Sequence, residues 1–73
     1  MDEKTRIEKD IVMFEKNLTK LQKIKLNDKQ KKIVELAKQY CEDSKYYFEK
    51  KDYFTAFGCI NYAHGLFDSI LKF

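Results

Sequence analysis

The chain has 73 residues and a mass of 8.8 kDa, enough for one small domain and too little for two. Its net charge of +3 is too low by itself to indicate a nucleic-acid-binding protein. The absence of proline and the presence of only two glycines disfavour a β fold, which needs many turns, and two cysteines are too few for a disulfide scaffold. A single histidine excludes metal sites built from several histidines. The composition therefore predicts one helical domain over residues 1–73, without a metal or a cofactor.

The N-terminal segment has the character of neither a signal peptide nor a membrane span. Seven of the first ten residues are charged, which the apolar core of a signal peptide does not tolerate. The longest uninterrupted apolar run, Ile11 to Phe14, is far shorter than the roughly 20 residues of a transmembrane helix. We therefore expect a cytoplasmic protein without membrane contact, in which Cys41 and Cys59 remain unpaired thiols.

The first predicted helix carries one apolar stripe with alternating steps of four and three residues. The stripe consists of Ile7, Ile11, Phe14, Leu18 and Leu21. This period is helical and cannot arise from a strand. Thr5 and Glu8 have the spacing of a capping box, so we expect the helix to begin near Thr5. The stripe weakens between Ile24 and Leu26, which predicts a helix over roughly 5–25.

The second predicted helix begins at an N-cap supplied by Asn27 or Asp28, with Gln30 three residues after Asn27. Its stripe consists of Ile33, Leu36, Ala37, Tyr40, Cys41, Ser44, Tyr47 and Phe48. Lys50 and Lys51 suit the negative end of the helix dipole. The pattern predicts a helix over roughly 28–50.

The third predicted helix begins after Asp52, whose carboxylate can accept backbone N–H groups at the positive end of the helix. Its stripe consists of Tyr53, Ala56, Phe57, Ile60, Ala63, His64, Phe67, Ile70 and Leu71, which predicts a helix over roughly 53–72. The short turn at Lys50–Asp52 forces the second and third helices into an antiparallel hairpin. The first helix must then cover the hairpin, and the fold class is an all-α, up-down-up three-helix bundle.

The aromatic residues are concentrated in the second half of the chain. Ten of the eleven lie between Tyr40 and Phe73. Several apolar residues fall outside the main stripe of the third helix: Phe54, Cys59, Tyr62, Leu66 and Phe73. One interpretation is core that the first helix covers. The other is a surface for a protein partner or a second copy, because aromatic excess is typical of interfaces. The second interpretation predicts contacts by Tyr46, Phe54, Tyr62 and Leu66.

The segment KDYFTAFGCINYAHGLFD, residues 51–68, resembles the signature of a family of small archaeal helical proteins, domain of unknown function 357. The preceding YYFEK, residues 46–50, is similar to the aromatic end of that family's preceding helix. The resemblance covers most of the chain and implies a three-helix bundle, but no functional residues, since the family has no assigned catalytic activity. Two residues depart from the pattern. Lys51 stands where a turn glycine is commoner, which predicts a non-glycine residue at positive φ, and Gly58 stands where alanine is expected, which loosens the third helix.

Polar residues share one edge of the third helix: Asn61, His64, Gly65 and Asp68. His64 and Asp68 are four residues apart, so the carboxylate could orient the imidazole as in an acid–base pair. Gly58 and Gly65 are seven residues apart and suggest the close approach of a neighbouring helix, a ligand or a partner chain. The alternative is a half-buried histidine with packing glycines. Because no nucleophile with a base is evident, the sequence predicts a protein that is not an enzyme.

Positive charge is concentrated around the first turn. Residues 1–15 carry a net charge of −2, residues 16–32 of +6 and residues 33–73 of −1. The basic block consists of Lys16, Lys20, Lys23, Lys25, Lys29, Lys31 and Lys32. It could contact phosphates through Lys20, Lys23, Lys25, Lys29, Lys31 and Lys32, or it could be a solvated surface. Neither arginine nor aromatic residues lie within it, which weakens the first interpretation.

Two functional hypotheses remain open. The first is a non-catalytic interaction module that forms a homo-oligomer or binds an unidentified protein through its aromatic surface. The alternative is weak nucleic-acid binding through the lysine-rich turn.

Overall fold

The computed structural model describes residues 2–71, which form three helices: α1 (Glu3–Gln22), α2 (Asp28–Glu49) and α3 (Tyr53–Leu71). They pack into a globule of 36 × 20 × 16 Å and confirm the all-α three-helix bundle. None of these three helices combines the length and the hydrophobicity needed to cross a bilayer. The predicted bounds of α2 are right to within one residue. Lys72, the predicted last residue of α3, and Phe73 lie outside the described residues.

The predicted bounds of α1 were wrong at both ends. The helix starts two residues earlier and ends three residues earlier than the predicted 5–25. Asp2 is the N-cap, and its carboxylate accepts a hydrogen bond from the Thr5 N–H at 2.7 Å. This hydrogen bond lowers the pKa of Asp2. Thr5 is therefore not the N-cap. Its backbone N–H donates to the N-cap Asp2, which supplies the acceptor one turn earlier.

The start of α2 is a reciprocal capping box. The Gln30 N–H donates to Asn27 Oδ1 at 2.7 Å, and the Asn27 N–H donates to Gln30 Oε1 at 3.0 Å. Both donors would otherwise lack an intrahelical acceptor. The cap is therefore Asn27, and Asp28 is the first residue of the helix.

The α2–α3 turn is a Schellman motif. Lys51 has a φ of 64°, its N–H donates to the Phe48 carbonyl at 3.0 Å, and the Asp52 N–H donates to the Tyr47 carbonyl at 2.9 Å. Asp52 then caps α3, since its carboxylate accepts from the Thr55 N–H at 3.2 Å. The predicted positive φ at Lys51 and the predicted cap at Asp52 are confirmed.

The core lies between the three helices. It consists of Ile7, Phe14, Leu21, Val34, Ala37, Cys41, Ala56, Ile60, Ala63, Phe67 and Ile70. The Phe14 and Phe67 rings stack with centroids 4.2 Å apart and join α1 to α3. Buried Ser44 donates its hydroxyl proton to the Ala56 carbonyl at 2.7 Å and so joins α2 to α3. The hairpin of α2 and α3 is the most extensive contact, and α1 packs mainly on α3.

Both cysteines are free, as the sequence predicts. Cys41 is buried in the core, and burial raises its pKa to about 11. Cys59 is half-buried, and burial also raises its pKa. A thiol with a raised pKa is protonated at neutral pH and is a poor nucleophile.

Replacing Lys51 by glycine should stabilise the protein. Glycine adopts positive φ without the steric cost that a Cβ incurs, so Lys51→Gly should raise the free energy of unfolding by about 1 kcal/mol. For a domain of this size that change corresponds to about 4–8 °C in Tm. Lys50→Gly is the matched control, because Lys50 has right-handed helical φ and ψ and glycine there should be destabilising. An unchanged or lower Tm for Lys51→Gly in thermal unfolding would contradict this account of the turn.

Candidate functional site

The four predicted interface residues lie on two helices and differ in their exposure. Phe54 and Tyr62 lie on α3, with 84% and 52% of their surface exposed. Tyr46 lies on α2 and is 57% exposed, with the Lys50 ammonium 5.5 Å from its ring centroid. Leu66 is half-buried and packs against the core. The structure therefore brings Phe54 and Tyr62 onto one helix, places Tyr46 on another and turns Leu66 partly inward.

Tyr62 is held in position by the neighbouring helix. Its ring lies against Tyr40 of α2, with centroids 4.6 Å apart in an edge-on arrangement. This packing leaves about half of Tyr62 exposed at a fixed place beside the hairpin. Phe54, by contrast, is almost fully solvated in the first turn of α3.

The surface of α3 that points away from the core consists of its exposed residues, and we call it the outer face of α3: Phe54, Gly58, Asn61, Tyr62, Gly65, Asp68 and Ser69. Phe54, Gly58, Asn61 and Gly65 follow steps of four, three and four and so lie along one line of the helix. Asp68, three residues after Gly65, continues this line and is the one charged residue among the exposed residues of α3 between 53 and 71.

The two glycines do not mark the close approach of a neighbouring helix of the described residues, so that alternative was wrong, while a ligand and a partner chain stay predictions. Apart from the helix's own backbone, no heavy atom of the described residues lies within 4 Å of the position that a Cβ would occupy at Gly58 or at Gly65. Both residues are exposed, and neither has a positive φ. A glycine inside a helix costs about 1 kcal/mol relative to alanine, and nothing inside the bundle compensates for this cost.

The imidazole of His64 is directed at α1 and not at Asp68. Its Nε2 lies 2.8 Å from the Asp10 carbonyl oxygen. Because a carbonyl can only accept, Nε2 carries the proton and donates it. The ring also lies edge-on to Phe14, with centroids 5.9 Å apart. His64 thus links α3 to α1 by a hydrogen bond. Asn61 and Asp68, the other polar side chains of the predicted edge, are exposed to solvent.

Metal ligands do not converge in the described part of the chain. Within residues 2–71, no three His, Cys, Asp or Glu side chains are close enough together to hold a metal ion.

The lysine cluster, which we define as the six predicted phosphate-contacting lysines, lies around the α1–α2 turn. Its members Lys20, Lys23, Lys25, Lys29, Lys31 and Lys32 are all exposed. Among residues 2–71, the ion pairs involve Lys38 and Lys45 and none of these six lysines. Three of the lysines fall in the first turns of α2, where the helix dipole disfavours positive charge. The capping box of Asn27 and Gln30 already uses two of the backbone donors that could otherwise bind a phosphate there.

A groove beside α1 and α2 was not predicted from the sequence. It has a volume of about 530 Å³, and its lining includes Phe14, Leu18, Leu36 and Cys41. It lies along the seam between α1 and α2, which is the least extensive of the three helix pairings. One ion pair joins the two helices there, from Lys45 Nζ to Glu15 Oε2 at 3.1 Å, and it raises the pKa of Lys45.

Further exposed apolar residues were also missed: Val12 and Met13 on α1, with Ile24 in the turn that follows α1. The signal for the first two is the run Ile11–Phe14, because four consecutive helical residues span about 300° and cannot all face the core. The place of Leu36 in the predicted stripe of α2 was wrong, because Leu36 is 41% exposed and Val34, which the stripe omitted, is buried in its stead.

Comparison with known families assigns the chain to one of them. The family described as "Protein of unknown function (DUF357)" has a model that matches residues 9–73, which is nearly the whole chain. The chain belongs to this family. The membership confirms the resemblance found in residues 46–68 and extends it into α1. No curated protein matches the chain. Because the DUF357 description names no activity, a functional hypothesis for this member must come from its own surfaces.

Alanine at either helical glycine should stabilise the folded monomer. Gly58→Ala and Gly65→Ala should each raise the free energy of unfolding by about 0.8–1 kcal/mol, because a Cβ has open space at both positions. The two effects should add, since the residues lie about 10 Å apart along α3. Denaturant unfolding at low micromolar concentration measures the changes. Destabilisation by either substitution would show that the monomer needs the glycine for its own packing.

Proposed function

We propose that this DUF357 member is a non-catalytic protein-interaction module of the cytoplasm and that it binds its partner through the outer face of α3. The observation that carries the proposal is Phe54, a phenylalanine that is 84% exposed on a helix whose other face is fully buried. Burying one aromatic side chain in a partner contributes about 1.5–3 kcal/mol, and aromatic residues are enriched among binding hot spots.

The composition of α3 supports the same proposal. A helix exposed on one side of a globular protein usually carries charged residues there. The exposed residues of α1 are mostly charged, whereas the outer face of α3 carries two aromatic rings, two glycines, an asparagine, a serine and a single aspartate. A surface with aromatic residues and few charges is typical of the centre of a protein interface.

The proposal excludes a catalytic role for the polar edge of α3. The Nε2 proton of His64 is already donated to the Asp10 carbonyl. Asn61 and Asp68 are exposed, and burial raises the pKa of both thiols away from neutral pH. These features favour a structural role for His64, which we do not assign to catalysis.

Affinity capture with matched variants tests the proposal. The immobilised chain, its Phe54→Glu variant and its Met13→Glu variant are incubated with lysate of the source organism and eluted stepwise with salt. Met13 is the control because it is 55% exposed on α1, away from the outer face of α3. We expect a protein that resists high salt, that Met13→Glu retains and that Phe54→Glu captures at least about tenfold less. Equal capture by all three forms would disprove the proposal.

A second candidate function is nucleic-acid binding by the lysine cluster, favoured by six exposed lysines that form no ion pair within residues 2–71. If the cluster contacts phosphates, neutralising Lys29, Lys31 and Lys32 to glutamine should weaken binding to duplex DNA. The slope of log K against log salt should also fall by up to about 0.9 for each phosphate that the variant no longer neutralises. Glutamine at Lys4, Lys9 and Lys50 provides a control with the same net charge. An unchanged slope in the first variant would eliminate this function.

A further inference from the structure

We propose that the partner of the outer face of α3 is a second copy of this chain, docked antiparallel so that Gly58 of each copy lies against Gly65 of the other. This inference rests on the proposed function and specifies the partner of the same face. Three features of the structure carry it: the open glycines, the order of side chains along the face and the position of the lysine cluster.

The open glycines make the face suitable for a closely packed helix. Gly58 and Gly65 are separated by seven residues, about two helical turns, so they lie about 10 Å apart on the same side of α3. The space above both is empty within 4 Å. A second helix can therefore bring its backbone close to α3 at two successive places, which a Cβ at either position would prevent.

The order of residues along the face is self-complementary. In a two-fold symmetric contact, residue i of one copy meets residue j of the other, and j meets i. A two-fold axis between Asn61 and Tyr62 places Gly58 opposite Gly65 of the second copy. The same axis places Phe54, the largest exposed side chain of the face, opposite the small exposed Ser69. Phe54 thus meets a small residue and the two glycines meet each other, while Tyr62 of each copy lies beside Asn61 of the other at the axis.

The lysine cluster selects the antiparallel orientation. The cluster lies at the end of the bundle where α1 ends, α2 begins and α3 ends. A parallel dimer would bring two segments of charge +6, residues 16–32 of each copy, side by side. An antiparallel dimer separates them by nearly the 36 Å length of the bundle, several times the Debye length of about 8 Å at physiological salt.

The required contact area matches one face of the bundle. A dimer at the small end of the stable range buries about 600 Å² per copy. This area is about one ninth of the 5366 Å² of accessible surface of the protein. Each of the three helices exposes one face to solvent, so the outer face of α3 can supply an area of this size. From Phe54 to Ser69 the helix is about 22 Å long. The affinity then depends on how well Phe54 is buried in the second copy and not on the area alone.

Sedimentation equilibrium from about 1 to 500 µM tests the proposal. The wild-type chain should show a monomer–dimer equilibrium, and Phe54→Ala should raise the dissociation constant at least about tenfold. Gly58→Ala and Gly65→Ala should also raise it, although both should stabilise the monomer, and this opposition of signs separates interface packing from folding. Met13→Ala is the control and should leave the dimer unchanged. A chain that stays monomeric at 500 µM, or a dimer insensitive to Phe54→Ala, would overturn the inference.

Disulfide trapping tests the orientation. Thr55→Cys and Asp68→Cys, which leave both glycines unchanged, are each made with Cys59→Ser and oxidised alone and as a mixture. A two-fold axis between Asn61 and Tyr62 places position 55 opposite position 68 of the other copy, so the antiparallel contact predicts a 55–68 disulfide formed mainly in the mixture. A 55–55 or 68–68 disulfide formed equally well by each variant alone, or no disulfide from variants that sediment as dimers, would overturn it.

The two proposals fail in different ways. If the chain is monomeric but Phe54→Glu loses a captured protein that Met13→Glu retains, the interaction function stands and the second copy is the wrong partner. If the chain is monomeric and all forms capture the same material, both proposals are wrong.

Discussion

Lys51 holds a left-handed backbone conformation between α2 and α3, and the orientation of the hairpin depends on it. The turn leaves no room for a loop, so α3 must fold back along α2. Ser44 and the Ala56 carbonyl then meet inside the hairpin and hold the two helices in register. Once Ala56 faces α2, the helical period turns Phe54, Gly58, Asn61 and Gly65 outward. The geometry of one short turn therefore determines which residues can serve as an interface.

The first helix is attached differently, and it leaves more of the molecule open. It rests on α3 through the Phe14–Phe67 stack and through the hydrogen bond from His64 to the Asp10 carbonyl. Its contact with α2 is much narrower and includes the exposed Lys45–Glu15 ion pair, which contributes little to stability. The groove beside α1 and α2 follows from this asymmetry. Because α1 packs mainly on α3, part of the boundary between α1 and α2 stays open.

The outer face of α3 carries residues that lower the stability of the folded monomer. Two glycines weaken a helix that is otherwise rich in core residues, and a phenylalanine remains in water beside them. A chain selected for monomer stability alone would carry alanine and charged residues at these positions. Features that lower stability without an internal reason are expected at functional sites. These residues, rather than any cluster of reactive groups, distinguish α3 from the other two helices.

The features that the sequence by itself determined are those that depend on interactions between residues close together in the chain. The three helices and a cap of α2 at Asn27 or Asp28 depend on residues a few positions apart, so stripes and capping patterns were sufficient to predict them. The positive φ at Lys51 was predicted from the turn glycine of the family that the segment resembles. The start of α1 was missed because Asp2 and Thr5 compete for the same capping role within one turn. Only the tertiary structure decided the partner of His64 and the surroundings of Gly58 and Gly65. The Asp10 carbonyl is 54 residues away from His64, and the space above each glycine is defined by the helices around it. Both depend on how the three helices pack together, and the sequence of one helix does not specify that packing.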